Sequence, residues 1–129
     1  MARTHTPPLS PHLQVYRLPL TAVLSIMHRL TGLVLILGAV LLTAVLFALA
    51  SGAEAFAVAQ GLLQTWPGLL FLLLFLFALY FHFCNGIRHL FWDAGLGFDK
   101  SVANQSGIWV LVFTGVASVV TWVLALGVI

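Results

Sequence analysis

Charge is what this chain has least of. Five Lys and Arg and three Asp and Glu are spread over 129 residues, 6% of the chain, against about 25% in an average soluble domain. So few charges cannot cover a water-facing surface, which excludes a soluble globular domain. The net charge of +2 comes from scattered basic residues and forms no patch, so no nucleic-acid surface is expected. Cysteine is nearly absent too. Cys84 alone excludes a disulfide framework and a CxxC metal site. Proline is missing from almost the whole chain, but Pro7, Pro8, Pro11 and Pro19 crowd its first twenty residues. They break up any apolar core there, so the N-terminus does not read as a signal peptide.

What remains is apolar, at 62% of residues. Three stretches reach the roughly 20 residues that cross a bilayer: about 21–50, 66–91 and 108–128. Apolar side chains crowd every face of them without alternation, which argues for helices and against a β-barrel. Helices also satisfy their own backbone groups, as lipid demands. The fold expected is therefore an all-α membrane protein of three transmembrane helices in a single anchor domain, 1–129, with residues 1–20 forming a proline-stiffened, non-helical arm. The connections are "SGAEAFAVAQGLLQT" and the Gly-, Asp- and Ser-rich "DAGLGFDKSVANQSG". Arg3, Arg17 and Arg29 lie before or early in the first helix, while Arg88 and Lys100 lie late in the second and in the loop beyond it. The positive-inside rule then puts the N-terminus and the second loop in the cytoplasm and the C-terminus outside.

Against this apolar background two polar stripes stand out. In "LTAVLSIMHRLTG", Thr21, Ser25, His28, Arg29 and Gly32 share one helical face. Back-bonding to helix carbonyls explains Ser25 or Thr21 alone. It does not explain adjacent His28 and Arg29, which suggest an anionic or hydrogen-bonding ligand beside the helix. In the second helix His82 and His89 share a face, seven residues and roughly 10 Å apart, with Gly86 leaving a notch between them. That separation prevents both from binding one metal ion, whose ligands must lie within about 2 Å of it. It suits a haem lying edge-on against the helix, with the deeper His82 on iron and His28, Arg29 and His89 near the propionates. A lone membrane histidine is most simply a packing residue; three with an arginine at one level point to a ligand. An axial pair of His28 with His82 is also compatible with the spacing. Trp66 and Trp92 sit at helix ends as interface anchors do, and Pro67 suits a first helical turn. Asp93 reads first as a marker of the water boundary and second as part of a proton path.

The same two stretches carry a family resemblance. "PLSPHLQVYRLPLTAVLSIMHRLTG" and "HFCNGIRHLFWD" resemble the two signature regions of the cytochrome b subunit of succinate dehydrogenase, the larger membrane anchor of respiratory complex II. The family patterns are S-P-H-L-x-x-Y followed by L-S-I-x-H-R-x-T-G, and H-x-x-x-G-x-R-H. The resemblance extends over essentially the whole chain. It implies that His82 is an axial ligand of haem b, shared with a second small anchor subunit that supplies the other ligand. It implies that Ser25 and Arg29 line a ubiquinone site, Ser25 as hydrogen-bond donor, and that His28, Arg29 and His89 surround the haem propionates. The arm, through "LSPHL", would meet the iron–sulfur subunit, with a flavoprotein subunit beyond. The chain would then be half of a two-subunit haem- and quinone-binding bundle. Trimers of such heterotetramers are compatible with these residues but not dictated by them. With no transit peptide in front of the arm, a bacterial inner membrane is the expected location. Two alternatives stand beside this: the anchor of a fumarate reductase, and a non-redox scaffold or transporter subunit whose polar residues only bind neighbouring helices.

Overall fold

The computed structural model describes residues 17–127. The expected cytoplasmic arm, with its "LSPHL" segment, lies outside them apart from the exposed, non-helical Arg17, Leu18 and Pro19. Four helices follow: α1 (Leu20–Ala50), α2 (Ala53–Leu63), α3 (Trp66–Asp93) and α4 (Lys100–Leu126), with no strand among the described residues. α1, α3 and α4 are long and apolar enough to cross a membrane. At 1.5 Å per residue each exceeds the roughly 30 Å of hydrocarbon. The chain is thus an all-α, multi-pass membrane protein.

Local chemistry fixes the helix ends. α1 starts directly after Pro19, whose carbonyl accepts from Ala22 N at 3.0 Å. Thr65 caps α3 by accepting from Gly68 N at 3.3 Å, and Pro67 occupies the first turn, where a missing N–H costs nothing. At the other end of α3, Gly95 adopts φ 80°, a left-handed conformation that favours glycine. Leu96 N then reaches Phe91 O at 2.9 Å and Gly95 N reaches Trp92 O at 2.8 Å, a Schellman stop.

Two connections differ from the sequence-based expectation. The first is not a plain loop, because Ala53–Leu63 forms a short helix packed on α1 and α3. The second is shorter than composition suggested, since α4 begins at Lys100 and not near 108. "SVANQSG" looks like a loop residue by residue, yet Ala103 and Gly107 are buried. Their small side chains let α4 close on its neighbours, as membrane helices do when there is no hydrophobic force to drive them together.

α3 packs along both α1 and α4. Leu24, Phe81 and Val110 form the apolar centre, joined by Leu20 and Cys84. Around it the interior is unusually polar: Thr31, Asn85, Arg88, Thr114 and Ser118 are all buried, while Leu33, Leu37, Val40 and Phe47 face outward. The apolar exterior suits lipid. Of the buried polar set, Arg88 bonds across to α4 and Thr31 meets His82 across the α1–α3 seam. Thr114 Oγ1 and Ser118 Oγ have no hydrogen-bond partner among the described residues. Close approach has its own markers. A Cβ on Gly107 would lie 2.6 Å from Leu24 Cδ1, and one on Gly38 would overlap the Phe75 ring. Gly38→Ala should therefore cost about 1–3 kcal/mol by overpacking. The expected result is a lowered thermal unfolding midpoint in detergent, largely restored by adding Phe75→Leu; an unchanged midpoint would show that the α1–α3 seam is looser than this.

Candidate site at the seam of α1 and α3

The two polar stripes face each other where α1 meets α3. The His28 and His82 rings stack with centroids 4.0 Å apart and planes within 12°. His89 lies one step further along α3, its ring 5.1 Å from that of His28. Gly86 faces the His28 ring, but a Cβ there would sit 3.8 Å from His28 Cε1, an ordinary contact, so the notch expected at Gly86 is not what admits the imidazole. Gly32 on α1 is tighter: a Cβ there would lie 3.1 Å from His82 Cε1. Of the two glycines, Gly32 is the one whose missing side chain gives the imidazole of the other helix its room.

His82 is oriented by hydrogen bonds. Its Nδ1 lies 3.1 Å from the His28 carbonyl oxygen and 3.3 Å from Thr31 Oγ1. A carbonyl has no proton to give, so Nδ1 must carry the hydrogen and donate. Thr31 Oγ1 is itself 2.9 Å from Met27 O and 3.0 Å from His28 O. Donating to Met27 O leaves a hydroxyl lone pair free to accept from His82. The tautomer is then set: Nε2 is unprotonated and keeps its lone pair. No hydrogen bond to it occurs among the described residues. This is the arrangement of a metal-binding histidine, in which the second nitrogen donates to a backbone carbonyl.

The other sequence-predicted residues are placed as follows. Ser25, three residues before His28, is half-buried, and Arg29, directly after it, is exposed. His89 is half-buried, and Asp93 is exposed in the last turn of α3. His28 Nδ1 is buried without a partner, which leaves a polar atom to be satisfied by something beyond these residues. Because the His28 and His82 rings stack in nearly parallel planes, they do not bracket one ion between them. No cluster of three or more His, Cys, Asp or Glu set to hold an ion occurs among the described residues.

Sequence reasoning missed the largest polar node. Arg88, counted there only as a topology marker, is 5% exposed. Its Nε donates to Ser106 Oγ at 2.9 Å, its guanidinium to Ala103 O at 2.8 Å and Asn85 Oδ1 at 3.3 Å. Trp92, expected as an interface anchor, lies under the guanidinium at 4.0 Å and donates Nε1–H to Gly97 O at 3.2 Å. The available signal was depth: Arg88 precedes the end of α3 by more than a turn, further in than snorkelling needs. A cleft of about 990 Å³ between α3 and α4 is lined by Tyr80, Cys84, Ile87, Phe91, Trp109 and Phe113, among others. It lies on the face of α3 opposite His82; Arg88, Trp92 and Ser106 line it too, and no imidazole does.

Three apolar spans, with imidazoles facing one another across the seam of two of them, make this an all-α membrane-spanning protein with a polar cluster inside it. The chain belongs to the succinate dehydrogenase/fumarate reductase transmembrane subunit family, whose sequence profile it matches over residues 3–121. It is similar to the succinate dehydrogenase cytochrome b556 subunit of Paracoccus denitrificans, with 48% identity over 77% of this chain and 76% of the relative. The corresponding subunit of Rickettsia bellii is 36% identical over 90% of each chain. The mitochondrial cytochrome b560 subunit of Sus scrofa is 39% identical over 87% of this chain and 68% of its own length.

Breaking the Arg88–Ser106 bond tests how far the buried node holds α4 against α3. Ser106→Ala should cost about 1–2 kcal/mol, as for a hydrogen bond to a charged group. Detergent unfolding should show the loss, with exposed Asn104→Ala as the neutral comparison; equal behaviour of the two variants would contradict the assignment.

Proposed function

We propose that this chain is the cytochrome b anchor of a succinate:ubiquinone oxidoreductase, holding haem b through His82 and forming part of the site where ubiquinone is reduced. The observation that carries this is the commitment of His82 Nδ1–H to the His28 carbonyl, which presents Nε2 as a ligand atom. The unpartnered Nδ1 of His28 fits the same group, since a propionate would satisfy it. His89 and Arg29 add donors or positive charge at the same level of the seam. A smaller partner anchor would supply the other ligand, as the family resemblance implies; His28, stacked on His82, is not placed to do so. Haem b, when bound, supplies a one-electron carrier. A flavoprotein subunit would oxidise succinate, and an iron–sulfur subunit would deliver the electrons to the membrane. In cells this places the chain in the electron-transport chain and the citric acid cycle.

The work of this chain's own residues is binding and charge placement. The Ser25 hydroxyl is a neutral donor suited to a quinone carbonyl oxygen. Arg29 brings a fixed positive charge where negative charge develops on the quinone, and a low dielectric makes that worth more than in water. Asp93, exposed at the end of α3, marks the water boundary and is available to pass protons inward. The distribution of the basic residues supports a cytoplasmic N-terminus and second loop and an external C-terminus. The bacterial relatives support an inner-membrane location. A fumarate reductase anchor is the second reading, since the family covers both enzymes; comparing turnover with ubiquinone and menaquinone distinguishes them.

Ser25→Ala should slow quinone reduction by about tenfold, the equivalent of one hydrogen bond, with the haem spectrum retained. Normal quinone kinetics in that variant would remove Ser25 from the site. His82→Ala should abolish the low-spin haem signal in the reduced-minus-oxidised spectrum of the purified complex. Its persistence would show that another residue binds iron.

A further inference from the structure

Arg88 poses a problem that helix packing does not answer. A buried guanidinium is costly unless paired, and a buried cation inside a membrane span calls for a use. Its partners here are all neutral: Ser106 Oγ, Ala103 O and Asn85 Oδ1. The acidic residues of α3 and the loop after it, Asp93 and Asp99, are exposed at the helix ends. The two bonds to α4 fix the guanidinium, whose central carbon lies over the Trp92 ring, 4.0 Å from its centroid. Trp92 is held from its other sides by the bond from Nε1 to Gly97 O and by stacking on Phe98 at 6.4 Å. The ring so fixed meets His89 edge-on, with centroids 5.1 Å apart and planes at 90°. His89 in turn neighbours His28, which stacks on His82.

We propose that Arg88 is a positioning residue: anchored to α4, it clamps Trp92, and Trp92 sets the orientation of the His89 ring in the imidazole cluster. α4 contributes no imidazole, yet through Ser106 and Ala103 it controls how one is presented. Lysine cannot replace Arg88 in this, because an ammonium has neither the planar face that stacks on indole nor the rigid fork that reaches Ser106 and Ala103 together. The consequence for haem rests on the function proposed above; the clamp on His89 does not.

The test is a double-mutant cycle on the complete purified complex, with Arg88→Lys, Trp92→Leu and the pair. The first measurement is the rate at which diethyl pyrocarbonate modifies His89, followed by mass spectrometry with His28 and His82 as internal references. If Arg88 acts through Trp92, each single variant should raise the His89 rate by about threefold or more, and the double variant no further than the larger single. A His89 rate unchanged in Arg88→Lys, or effects that multiply in the double variant, would reduce Arg88 to a strap between helices and overturn the proposal. Ser106→Ala removes one bond only and should shift the rate in the same direction if Arg88→Lys fails to assemble. Trp92→Phe, which keeps a ring, should stay near the wild-type rate. The second measurement is the pH dependence of the haem midpoint potential. It should change alike in Arg88→Lys and Trp92→Leu while the spectrum stays low-spin; an unaltered dependence in both overturns the consequence for haem, and the His89 rates decide the clamp. Should the wild-type complex show no haem, the function proposed above fails, and the His89 rates still decide the role of Arg88.

Discussion

One hydrogen bond organises the seam on which the rest depends: His82 Nδ1–H donating across from α3 to the His28 carbonyl of α1. The carbonyl already lies within the α1 hydrogen-bond ladder, so it can accept a second donor only through its remaining lone pair. Thr31 eases the crowding by offering its own hydroxyl oxygen to the same proton. Gly32 helps the helices reach this distance by leaving space for the His82 ring. A larger residue at Gly32 would push the imidazole off its acceptor, release the tautomer and unset the direction of Nε2.

That bond works inside a bundle built the opposite way from a soluble domain. Its buried set includes Thr31, Asn85, Arg88, Thr114 and Ser118, while leucines and phenylalanines face outward. In lipid, apolar side chains gain nothing by meeting one another, so close backbone approach and polar ties hold the helices. Tyr80 and Thr121 make one such tie at 2.8 Å, and Arg88 with Ser106 and Ala103 makes another. The two lie along the antiparallel pair of α3 and α4. The imidazoles therefore sit on a helix fixed from behind as well as from in front.

The three spans were legible in the sequence because lipid imposes a length and a composition that 6% charge makes hard to miss. The imidazole cluster was legible too, since 3.6-residue periodicity places His28 with Arg29 on one stripe and His82 with His89 on another. What periodicity cannot give is which helix meets which, so the stacking of His28 on His82 and the tautomer of His82 appear only in the fold. The start of α4 was hidden for a different reason. Asn104, Gln105, Ser106 and Gly107 have the composition of a loop, and only the pairing of Ser106 and Ala103 with Arg88 makes helix the better state there. Arg88 itself was obscured by a rule that works: basic residues mark the cytoplasmic side, and that explanation left no reason to ask what the guanidinium touches.

The central claim is that one imidazole is locked by a backbone acceptor so that its other nitrogen is free to bind iron. A high-resolution map of the assembled complex tests this most directly. The account predicts His82 Nδ1 within hydrogen-bonding distance of the His28 carbonyl oxygen and Nε2 at the haem iron. A ring turned the other way, with Nδ1 on the metal or with both nitrogens facing lipid, would contradict it.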